Sequence, residues 1–331
     1  MGATITIPKF VDAQITLPRE SQRSEVRQTI GVTAIEVIHH RPAVKERPIW
    51  GELVPYGKIW RAGANENTTI SFSNDVKIEG QDLPAGTYGF HTLPNENEWT
   101  LIFNKVNNKW GSFSYKETED ALRVNVKPIL APHQEFLVYG FDQITKNTAR
   151  AYLHWEKLLI PFTVEVNVDN AIRSMVDTSS DWQASAQYAN YLLRRNNYDS
   201  ALEWANKSAG MKEDFMNLSV KMMVLTKKGE DKQAGELTAK LLTMGDENQI
   251  NGLGYSLMNI EETDHAIEIF ETNVAAHQDS WNVYDSLGEA MEKAGNRKQA
   301  IANYSKALEL VKNERQKERI TNTLKELQGE Q

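Results

Sequence analysis

The chain contains no cysteine. Disulfide bonds, thiolate-ligated zinc sites and cysteine nucleophiles are therefore all excluded. The absence leaves the cellular compartment open, because a protein without thiols tolerates oxidising and reducing surroundings equally. The composition is otherwise that of a globular protein, with 40% hydrophobic and 25% charged residues, and 331 residues are enough for two domains with separate cores.

Long apolar runs are also missing. No stretch approaches the roughly 20 apolar residues that a transmembrane helix needs. The N-terminal sequence MGATITIPKFVDAQITLPRE lacks a basic segment followed by an apolar one, so no signal peptide is expected in the sequence as given. Basic residues are not in excess, and the formal net charge of −8 argues against a nucleic-acid partner.

Catalytic motifs are absent as well. The chain has no G-x-S-x-G elbow, no H-E-x-x-H zinc motif and no glycine-rich phosphate loop, so we expect neither a cofactor nor a metal site. Glu117, Glu119 and Asp120 lie close together in YKETEDAL, a pattern more typical of a solvated loop than of a catalytic pair.

Histidine is sparse, with seven residues. His39 and His40 are adjacent on a predicted strand, so their side chains point to opposite faces and cannot bind one ion together. His91 is the candidate for acid–base chemistry or metal binding, through pairing with His133 or His154 across the sheet. The alternative is a structural role, which is the commoner one for an isolated histidine.

Residues 25–168 alternate between apolar and polar side chains with period two, as half-buried strands do. Trp99, Leu101 and Phe103, for example, share one face of a predicted strand. Eight or nine short strands separated by turn signals predict an all-β antiparallel sandwich, jelly-roll-like in type. Residues 1–24 are predicted to form an N-terminal extension.

Beyond about residue 170 the spacing becomes helical and the sequence repeats itself. The stretch SWNVYDSLGEAMEKAGNRKQAIANYSKALEL has the marker residues of a tetratricopeptide repeat, including Gly288 on its first helix. Small residues recur at similar intervals where neighbouring helices must approach closely: Ala201, Ala234, Ala266 and Ala300. The pattern predicts a linker at 169–180, four helix pairs at 181–312 and a capping helix at 313–331.

The richest candidate for a binding site is the segment HHRPAVKERPIWGELVPYGKIWRAGANENTT. Its prolines keep the chain extended and stiff. Guanidinium groups bind carboxylate or phosphate through two parallel hydrogen bonds, and aromatic faces suit sugar rings or cations. We therefore predict that an anionic or sugar ligand binds here. The predicted ligand-binding residues are Arg61, Asn65, Glu66, Trp60, Trp50, Arg47 and His91.

The same segment has a second interpretation, as a cover that closes one end of the sandwich. In that case its tryptophans fill the end of the core, and Arg61 pairs with a buried acid such as Glu66. Arg61 and Asn65 would then bond the backbone that the loop exposes. The sequence favours this cover over a ligand site, although one loop can serve both purposes.

Four motifs in the first half of the chain point to a family. They are R-P-x-V-K-x-R, G-x-L-V-P-Y-G-x-x-W-R-x-G-A-N, the A-G-T-Y turn and the E-W-T…N-K strand. Together they make residues 17–168 resemble the bacterial family of unknown function numbered 2911. The resemblance implies a periplasmic or extracellular protein whose signal peptide has been removed, and frequent pairing with C-terminal helical repeats. It implies no activity and no catalytic residues.

Two functions from different classes remain open. In the first, the protein is a non-catalytic binding or scaffolding protein of the bacterial cell envelope, with a small ligand or an envelope component on the sandwich and a protein or peptide on the repeats. In the second, the sandwich is an enzyme for a glycan or anionic small molecule, with Arg61 positioning the substrate and Glu66 or His91 as acid or base. An enzyme needs titratable groups that converge in one cleft. Because no reaction motif is present, we favour the first.

Overall fold

The computed structural model describes residues 17–329, which form two compact units divided between Ser174 and Met175. Most of the predicted N-terminal extension, residues 1–16, lies outside the described residues. The described part of the first unit contains antiparallel strands: β1 (Gln22–Ile30), β2 (Thr33–Arg41), β3 (Thr68–Phe72), β4 (Val76–Ile78), β5 (Gln81–Leu83), β6 (Gly86–Leu93), β7 (Trp99–Asn104), β8 (Asp120–Val126), β9 (Ile129–Asp142) and β10 (Thr148–Val166).

The strands form two sheets. One has six strands in the order β1-β2-β3-β6-β7-β8, and the other has four in the order β5-β4-β10-β9. Neighbours in the larger sheet are mostly consecutive along the chain, and the β4–β5 hairpin leaves it to join the smaller sheet. The predicted antiparallel sandwich is confirmed. Within the larger sheet, most neighbouring strands are also consecutive along the chain, which is a meander order. The jelly-roll-like type expected from the sequence would instead have a Greek-key order.

The core lies between the two sheets, where the inward side chains of each strand meet. Phe90 on β6 stacks on Phe162 of β10, with ring centroids 5.9 Å apart. On β2, Ile35 and Val37 are 1% and 2% exposed. Burying a side chain of this size contributes about 1.5–3 kcal/mol, so the period-two pattern determines which face of each strand turns inward.

The remaining elements are helices: α1 (Val168–Asp177), α2 (Trp182–Leu193), α3 (Tyr198–Met211), α4 (Phe215–Lys228), α5 (Asp231–Met244), α6 (Glu247–Asn259), α7 (Thr263–Ala276), α8 (Trp281–Lys293), α9 (Arg297–Leu310) and α10 (Glu314–Gln328). Helix α1 occupies most of residues 169–180, where the sequence predicted a linker. The next eight helices form successive pairs, and α10 packs on the last pair.

The pairs have the predicted tetratricopeptide-like packing. The four anchor alanines lie at equivalent places on α3, α5, α7 and α9 and are buried. Gly254 on α6 faces the ring of Phe270 on α7, and Gly288 on α8 faces the ring of Tyr304 on α9. The helical repeats are therefore confirmed, and small residues stand where aromatic rings of the partner helix pack.

Candidate functional site

The loop between Val54 and Asn67 is attached to the sandwich by backbone hydrogen bonds. Trp60 and Thr92 exchange two of them, each 2.8 Å long. Because Thr92 belongs to β6, this bridge continues the larger sheet past the end of β3. The N–H of Gly57 donates to the carbonyl of Pro94 at 2.9 Å. The loop is therefore held as a rigid part of the domain.

Ala62 sets the direction of the chain directly after Arg61. It has a φ of +51° and is fully buried. Its carbonyl oxygen accepts hydrogen bonds from Thr68 Oγ1 at 3.1 Å and from the Tyr139 hydroxyl at 2.8 Å. A strained backbone of this kind costs about 1–3 kcal/mol and persists only where the surroundings hold it. The two hydrogen bonds hold it here, so the position of Arg61 is preorganised.

A second strained turn lies at residues 44–47. Lys45 and Glu46 have φ values of +48° and +55°, and the N–H of Arg47 donates to the carbonyl of Val44 at 3.1 Å. The Glu135 carboxylate accepts a hydrogen bond from the N–H of Lys45 at 2.9 Å, which ties the turn to β9. Both basic residues of this turn, Lys45 and Arg47, line the same cleft.

A cleft of ≈530 Å³ opens beside these two turns. Small-molecule sites typically enclose roughly 300–1,000 Å³, so the volume suits a ligand of that class. Its walls combine basic and aromatic side chains with small ones. The lining residues are Glu20, Ser21, Pro42, Ala43, Lys45, Arg47, Leu53, Val54, Trp60, Arg61, Gly63, Ala64, Phe136 and Trp155.

Arg61 is the unusual member of this lining. Its side chain has neither a hydrogen bond nor an ion pair with any described residue, and its Nε is buried without a partner in the described part of the chain. Burial lowers the pKa of its guanidinium below the ordinary value. A guanidinium that is partly withdrawn from water and has no acceptor among the described residues is suited to hold an anion.

Aromatic rings form the wall next to Arg61. Trp60 and Trp155 stack with centroids 5.9 Å apart and planes 21° apart. Trp50 lies behind them, 5.9 Å from Trp60 and 5.8 Å from Trp155, and contacts the fully buried Trp99 at 5.0 Å. Trp50 is half-buried and packs against these rings, but it is not among the residues that line the cleft.

Glu66 does not pair with Arg61. Its carboxylate accepts two hydrogen bonds from Arg19, at 2.7 and 2.8 Å, and lies 3.3 Å from the Nε2 of His40. These contacts, led by the Arg19 hydrogen bond, lower the pKa of Glu66. The ion pair between Arg61 and Glu66 that the cover interpretation predicted is therefore wrong.

Asn65 holds loops together instead of lining the cleft. Its Nδ2 donates to the carbonyl of Ser21 at 3.0 Å, and its own carbonyl accepts from the N–H of Gly111 at 3.2 Å. The backbone φ of Asn65 is +58°, a conformation that asparagine tolerates better than most residues. Its neighbour Ala64 contributes to the lining, and Asn65 fixes the segment that carries it.

His91 lies apart from the cleft, beside a small cavity of ≈10 Å³ that it shares with Asn67. The Asn67 amide orientation follows from its neighbours: Oδ1 accepts from the N–H of Lys109 at 2.6 Å, and Nδ2 donates to the carbonyl of Gly111 at 3.0 Å. Nδ2 therefore also faces His91 Nε2, at 3.4 Å, as a donor. His91 Nδ1 then donates to Ser112 Oγ, at 2.9 Å.

This arrangement makes His91 a neutral donor towards Ser112, which is the opposite of a base that activates a serine. Burial lowers the pKa of His91 to about 4, which also keeps the ring neutral. The other two candidates lie elsewhere: His133 Nε2 is 3.2 Å from a Glu135 oxygen, and His154 Nε2 is 2.9 Å from the Pro132 carbonyl. Within residues 17–329, no three histidine or acidic side chains cluster as metal ligands.

The acidic run YKETEDAL is divided between surface and interior. Glu117–Glu119 forms a short 3₁₀ turn with no buried residue, as a solvated loop would. Asp120 is different, because its carboxylate accepts from the Tyr115 hydroxyl at 2.6 Å and from Asn104 Nδ2 at 2.8 Å. These bonds close the loop onto β7 and β8, so Asp120 has a structural role.

The cleft therefore unites three of the predicted site residues, Arg61, Trp60 and Arg47, and adds others that the sequence did not indicate. Phe136 comes from β9 and Trp155 from β10. The pairing of β9 with β10 shifts register between His154 and Leu158, and such bulges bend a strand and re-aim its side chains. Alternation alone marked Trp155 as a core residue and carried no signal for its place at the cleft.

A second concave surface lies on the helical unit, along the first helices of three successive repeats. This groove on α2, α4 and α6 encloses ≈350 Å³. Its lining residues are Asn190, Arg194, Phe215, Met216, Ser219, Val220, Met223, Gln249, Gly252, Leu253, Ser256, Asn259 and Ile260. Apolar, flexible methionine side chains alternate there with amides and hydroxyls, and Arg194 is the one charged group among the lining residues of the described chain.

None of the helices in the described chain is both long and apolar enough to cross a membrane. A search of the curated proteins found no match. Three solved structures resemble parts of the chain: MamA of Desulfovibrio magneticus RS-1, YrrB, which is described as a TPR protein with an unusual peptide-binding site, and PilF of Pseudomonas aeruginosa.

Their sequence identities to this chain are 19%, 16% and 18%, and their TM-scores are 0.28, 0.28 and 0.30. The matches cover 46%, 49% and 44% of this chain and 96%, 86% and 67% of the MamA, YrrB and PilF chains. The assignment of the repeats rests on their own register and packing. Residues 21–164 match the model of the family described as Protein of unknown function (DUF2911), so the family resemblance of the sandwich domain is confirmed.

Proposed function

We propose that the protein is a non-catalytic binding or scaffolding protein with two binding surfaces. The sandwich holds a small ligand in the Arg61 cleft, and the helical repeats hold a protein or peptide in the groove on α2, α4 and α6. The observation that carries the proposal is the chemistry of the cleft. Three cations and an aromatic wall surround it, while its single carboxylate in the described chain, Glu20, lies 3.4 Å from Lys45 Nζ as an ion pair.

This composition disfavours the enzyme alternative. General acid–base catalysis needs a proton donor and acceptor that converge on the reacting atoms. His91 faces Ser112 and Asn67 outside the cleft, and Glu66 is bound by Arg19. Arg61 retains the part that it plays in both hypotheses, which is to hold an anionic group.

The groove supports the second half of the proposal. Its floor combines Met216, Met223 and Leu253 with the amides of Asn190 and Asn259. Methionine adapts to varied apolar partners, and side-chain amides can bond an extended peptide backbone. With Arg194 as the charged lining residue, we expect an extended peptide that has apolar side chains and a carboxylate, either acidic or C-terminal.

A glycine offers a direct test of the groove. Gly252 lines it, is exposed on α6, and has no atom within 4 Å of the position that a Cβ would occupy. Gly252→Gln should fold normally, since glutamine is favoured over glycine in a helix by roughly 0.5–1 kcal/mol. We expect it to obstruct the groove and to weaken binding of peptides selected from a random displayed library, measured by fluorescence anisotropy.

Gly235→Gln is the matched control, because Gly235 is also an exposed helical glycine with open space around it but does not line the groove. Selected peptides should bind this variant and the unaltered chain alike. Equal binding to the Gly252 variant, or selection of no peptide at all, would remove the repeats from the proposal.

We also propose a location in the bacterial envelope, periplasmic or extracellular, which the family resemblance of the sandwich supports. Expression of the native gene with an epitope tag, followed by separation of periplasm from cytoplasm, tests it. Recovery of the protein with cytoplasmic markers would overturn the location and leave both binding surfaces unaffected.

A further inference from the structure

The arginines of the sandwich domain fall into two groups by what their guanidinium groups contact. Most are bound to a carboxylate or carbonyl, such as Arg19 to Glu66 at 2.7 Å, Arg150 to Asp142 at 2.6 Å and Arg41 to the Leu137 carbonyl at 3.0 Å. Arg23, Arg27, Arg47 and Arg123 have such partners too. Among the described residues of this domain, Arg61 alone has neither.

Burial makes the lack of a partner costly at Arg61. The guanidinium lies partly inside the protein, and its Nε has no contact with solvent or with any acceptor in the described chain. Removing a charge from water without supplying a partner is unfavourable. An arginine that only closed the loop would bond the backbone around it, and this one does not.

The surroundings of Arg61 indicate which kind of group would supply the acceptor that its guanidinium lacks. Lys45 and Arg47 bring two more cations to the same cleft, against the single exposed carboxylate of Glu20. Arg47 itself is oriented by two bonds, to the carbonyls of Val44 and Ala43, at 3.0 and 2.5 Å. The missing acceptor is therefore an anion, and the planar guanidinium fork matches the paired oxygens of a carboxylate or phosphate.

The aromatic wall beside Arg61 places a second requirement on the ligand, which is apolar surface. Trp60 is half-buried and Phe136 is 47% exposed, so both offer apolar surface to the cleft, whereas Trp155 is 1% exposed and supports Trp60 by stacking on it. A bare inorganic anion would leave most of ≈530 Å³ unfilled and these faces wet. A ring or other flat group attached to the oxyanion would cover them.

We propose that the cleft is a binding site for a small organic oxyanion, a carboxylate or phosphate carried on a ring, with Arg61 pairing the oxygens and Trp60 and Phe136 contacting the ring. This inference rests on the small-ligand half of the proposed function and names its chemical class. Lys45 and Arg47 supply the positive rim that attracts the anion, so binding weakens as ionic strength rises.

The test uses the full chain and isothermal titration calorimetry with five probes. Benzoate, glucuronate and glucose 6-phosphate carry the oxyanion, and benzyl alcohol and glucose are the neutral counterparts. We expect saturable binding of at least one oxyanion at millimolar concentration or below, and no binding of its neutral counterpart. The carboxylates and the phosphate form separate arms, so the preferred oxyanion is read from the same experiment.

Two variants assign the binding to Arg61. Arg61→Met keeps a long side chain, removes the charge and should weaken the bound oxyanion about tenfold or more, as expected for loss of a two-point charged hydrogen bond. Arg27→Met, at an exposed arginine on β1 that pairs with Glu36, should leave the affinity unchanged. Arg61→Lys keeps the charge but lacks the planar guanidinium, so its affinity for the oxyanion should lie between those of the Arg61→Met and Arg27→Met proteins.

Failure of all three oxyanions to bind, equal binding of the neutral counterparts, or full affinity in the Arg61→Met protein would each overturn the inference. Peptide binding by the groove is read separately, through the Gly252 and Gly235 variants. If no oxyanion binds but peptides still bind the groove, only the proposed sandwich site is refuted. If neither binds, the proposed function itself is refuted.

Discussion

Arg61 and Glu66 lie on the same loop, yet the Glu66 carboxylate binds Arg19 at 2.7 Å and leaves Arg61 without an acceptor in the described chain. This separation decides between the two interpretations of the loop. The loop is fastened to the sandwich by the backbone bonds between Trp60 and Thr92 and by side-chain hydroxyls that donate to the Ala62 carbonyl. Arg61 makes no such bond within residues 17–329, and its side chain lines the cleft.

The first prediction concerns stability without ligand. Arg61→Met should leave the free energy of unfolding unchanged or raise it, because the substitution removes a partly buried charge that has no protein partner. Arg47→Met is the matched comparison. It should lower the free energy of unfolding by about 1–2 kcal/mol, since it removes two hydrogen bonds to the carbonyls of Ala43 and Val44.

Urea denaturation followed by tryptophan fluorescence measures both variants, since most tryptophans lie in the sandwich. A decrease of several kcal/mol in the free energy of unfolding of the Arg61 variant would contradict the prediction. It would mean that the guanidinium stabilises the fold through a partner in solution.

The second prediction is a loss of stability in mild acid. His39 is 1% exposed and His91 3% exposed, and burial lowers the pKa of each to about 4 from 6.5. Above pH 6.5 both rings are neutral in the folded and unfolded chains. Between 6.5 and about 4 the unfolded chain takes up protons that the folded chain does not, so the free energy of unfolding falls, by about 3 kcal/mol for each ring. Below pH 4 the fall levels off.

His39→Leu separates one contribution. His39 points into the core beside Tyr139, with ring centroids 4.7 Å apart, and neither ring nitrogen has a partner in the described residues. The variant should be more stable at pH 5 and should show a shallower dependence on pH in denaturant titrations. Ile144→Leu, at an exposed residue without a titratable group, is the control and should leave the slope unchanged. An identical slope in the His39 variant would contradict the assignment.

The third prediction tests the structural role of His91. Asn67→Ala removes the amide that bonds Lys109, Gly111 and His91, and buried groups left without partners cost about 1–3 kcal/mol each. We expect a loss of about 2–4 kcal/mol and faster amide hydrogen exchange at residues 105–115. Thr100→Ala, whose hydroxyl bonds Asn125 at the surface, should affect neither measurement. Unchanged exchange in the Asn67 variant would mean that the network does not hold this loop.

The fourth prediction concerns close packing in the repeats. A Cβ at Gly254 would lie 2.5 Å from the Phe270 ring, so Gly254→Ala should force the helices apart and lower the melting temperature of the helical unit. Gly235→Ala places its methyl group in open space and should raise stability by about 1 kcal/mol through helix propensity. Circular dichroism at 222 nm follows both variants. Equal effects of the two substitutions would show that the α6–α7 contact is looser than described.

Much of the architecture was legible in the sequence because it depends on local periodicity. Period two along β2 and β10 predicted which side chains turn inward, and anchors such as Ala201 and Ala300 predicted where helices approach. Helix α1 lies where the sequence predicted a linker, because its ten residues give only a short periodic pattern and fall outside the register of the repeats. The family motifs likewise identified the sandwich.

The cleft was only partly predictable. Arg47, Trp60 and Arg61 share one stretch of chain, so their clustering was visible. The partners of Glu66 and His91 could not be predicted. Arg19 contacts Glu66 and Ser112 contacts His91 only because folding brings distant segments of the chain together. The sequence by itself determined which face of each strand and helix is buried, because apolar residues recur with the period of the element. Only the tertiary structure decided that Glu66 pairs with Arg19, that Phe136 and Trp155 line the cleft, and that Arg61 has no partner among the described residues. The physical reason is that ion pairs and clefts form between segments that are distant along the chain, and local periodicity does not encode which of these segments meet.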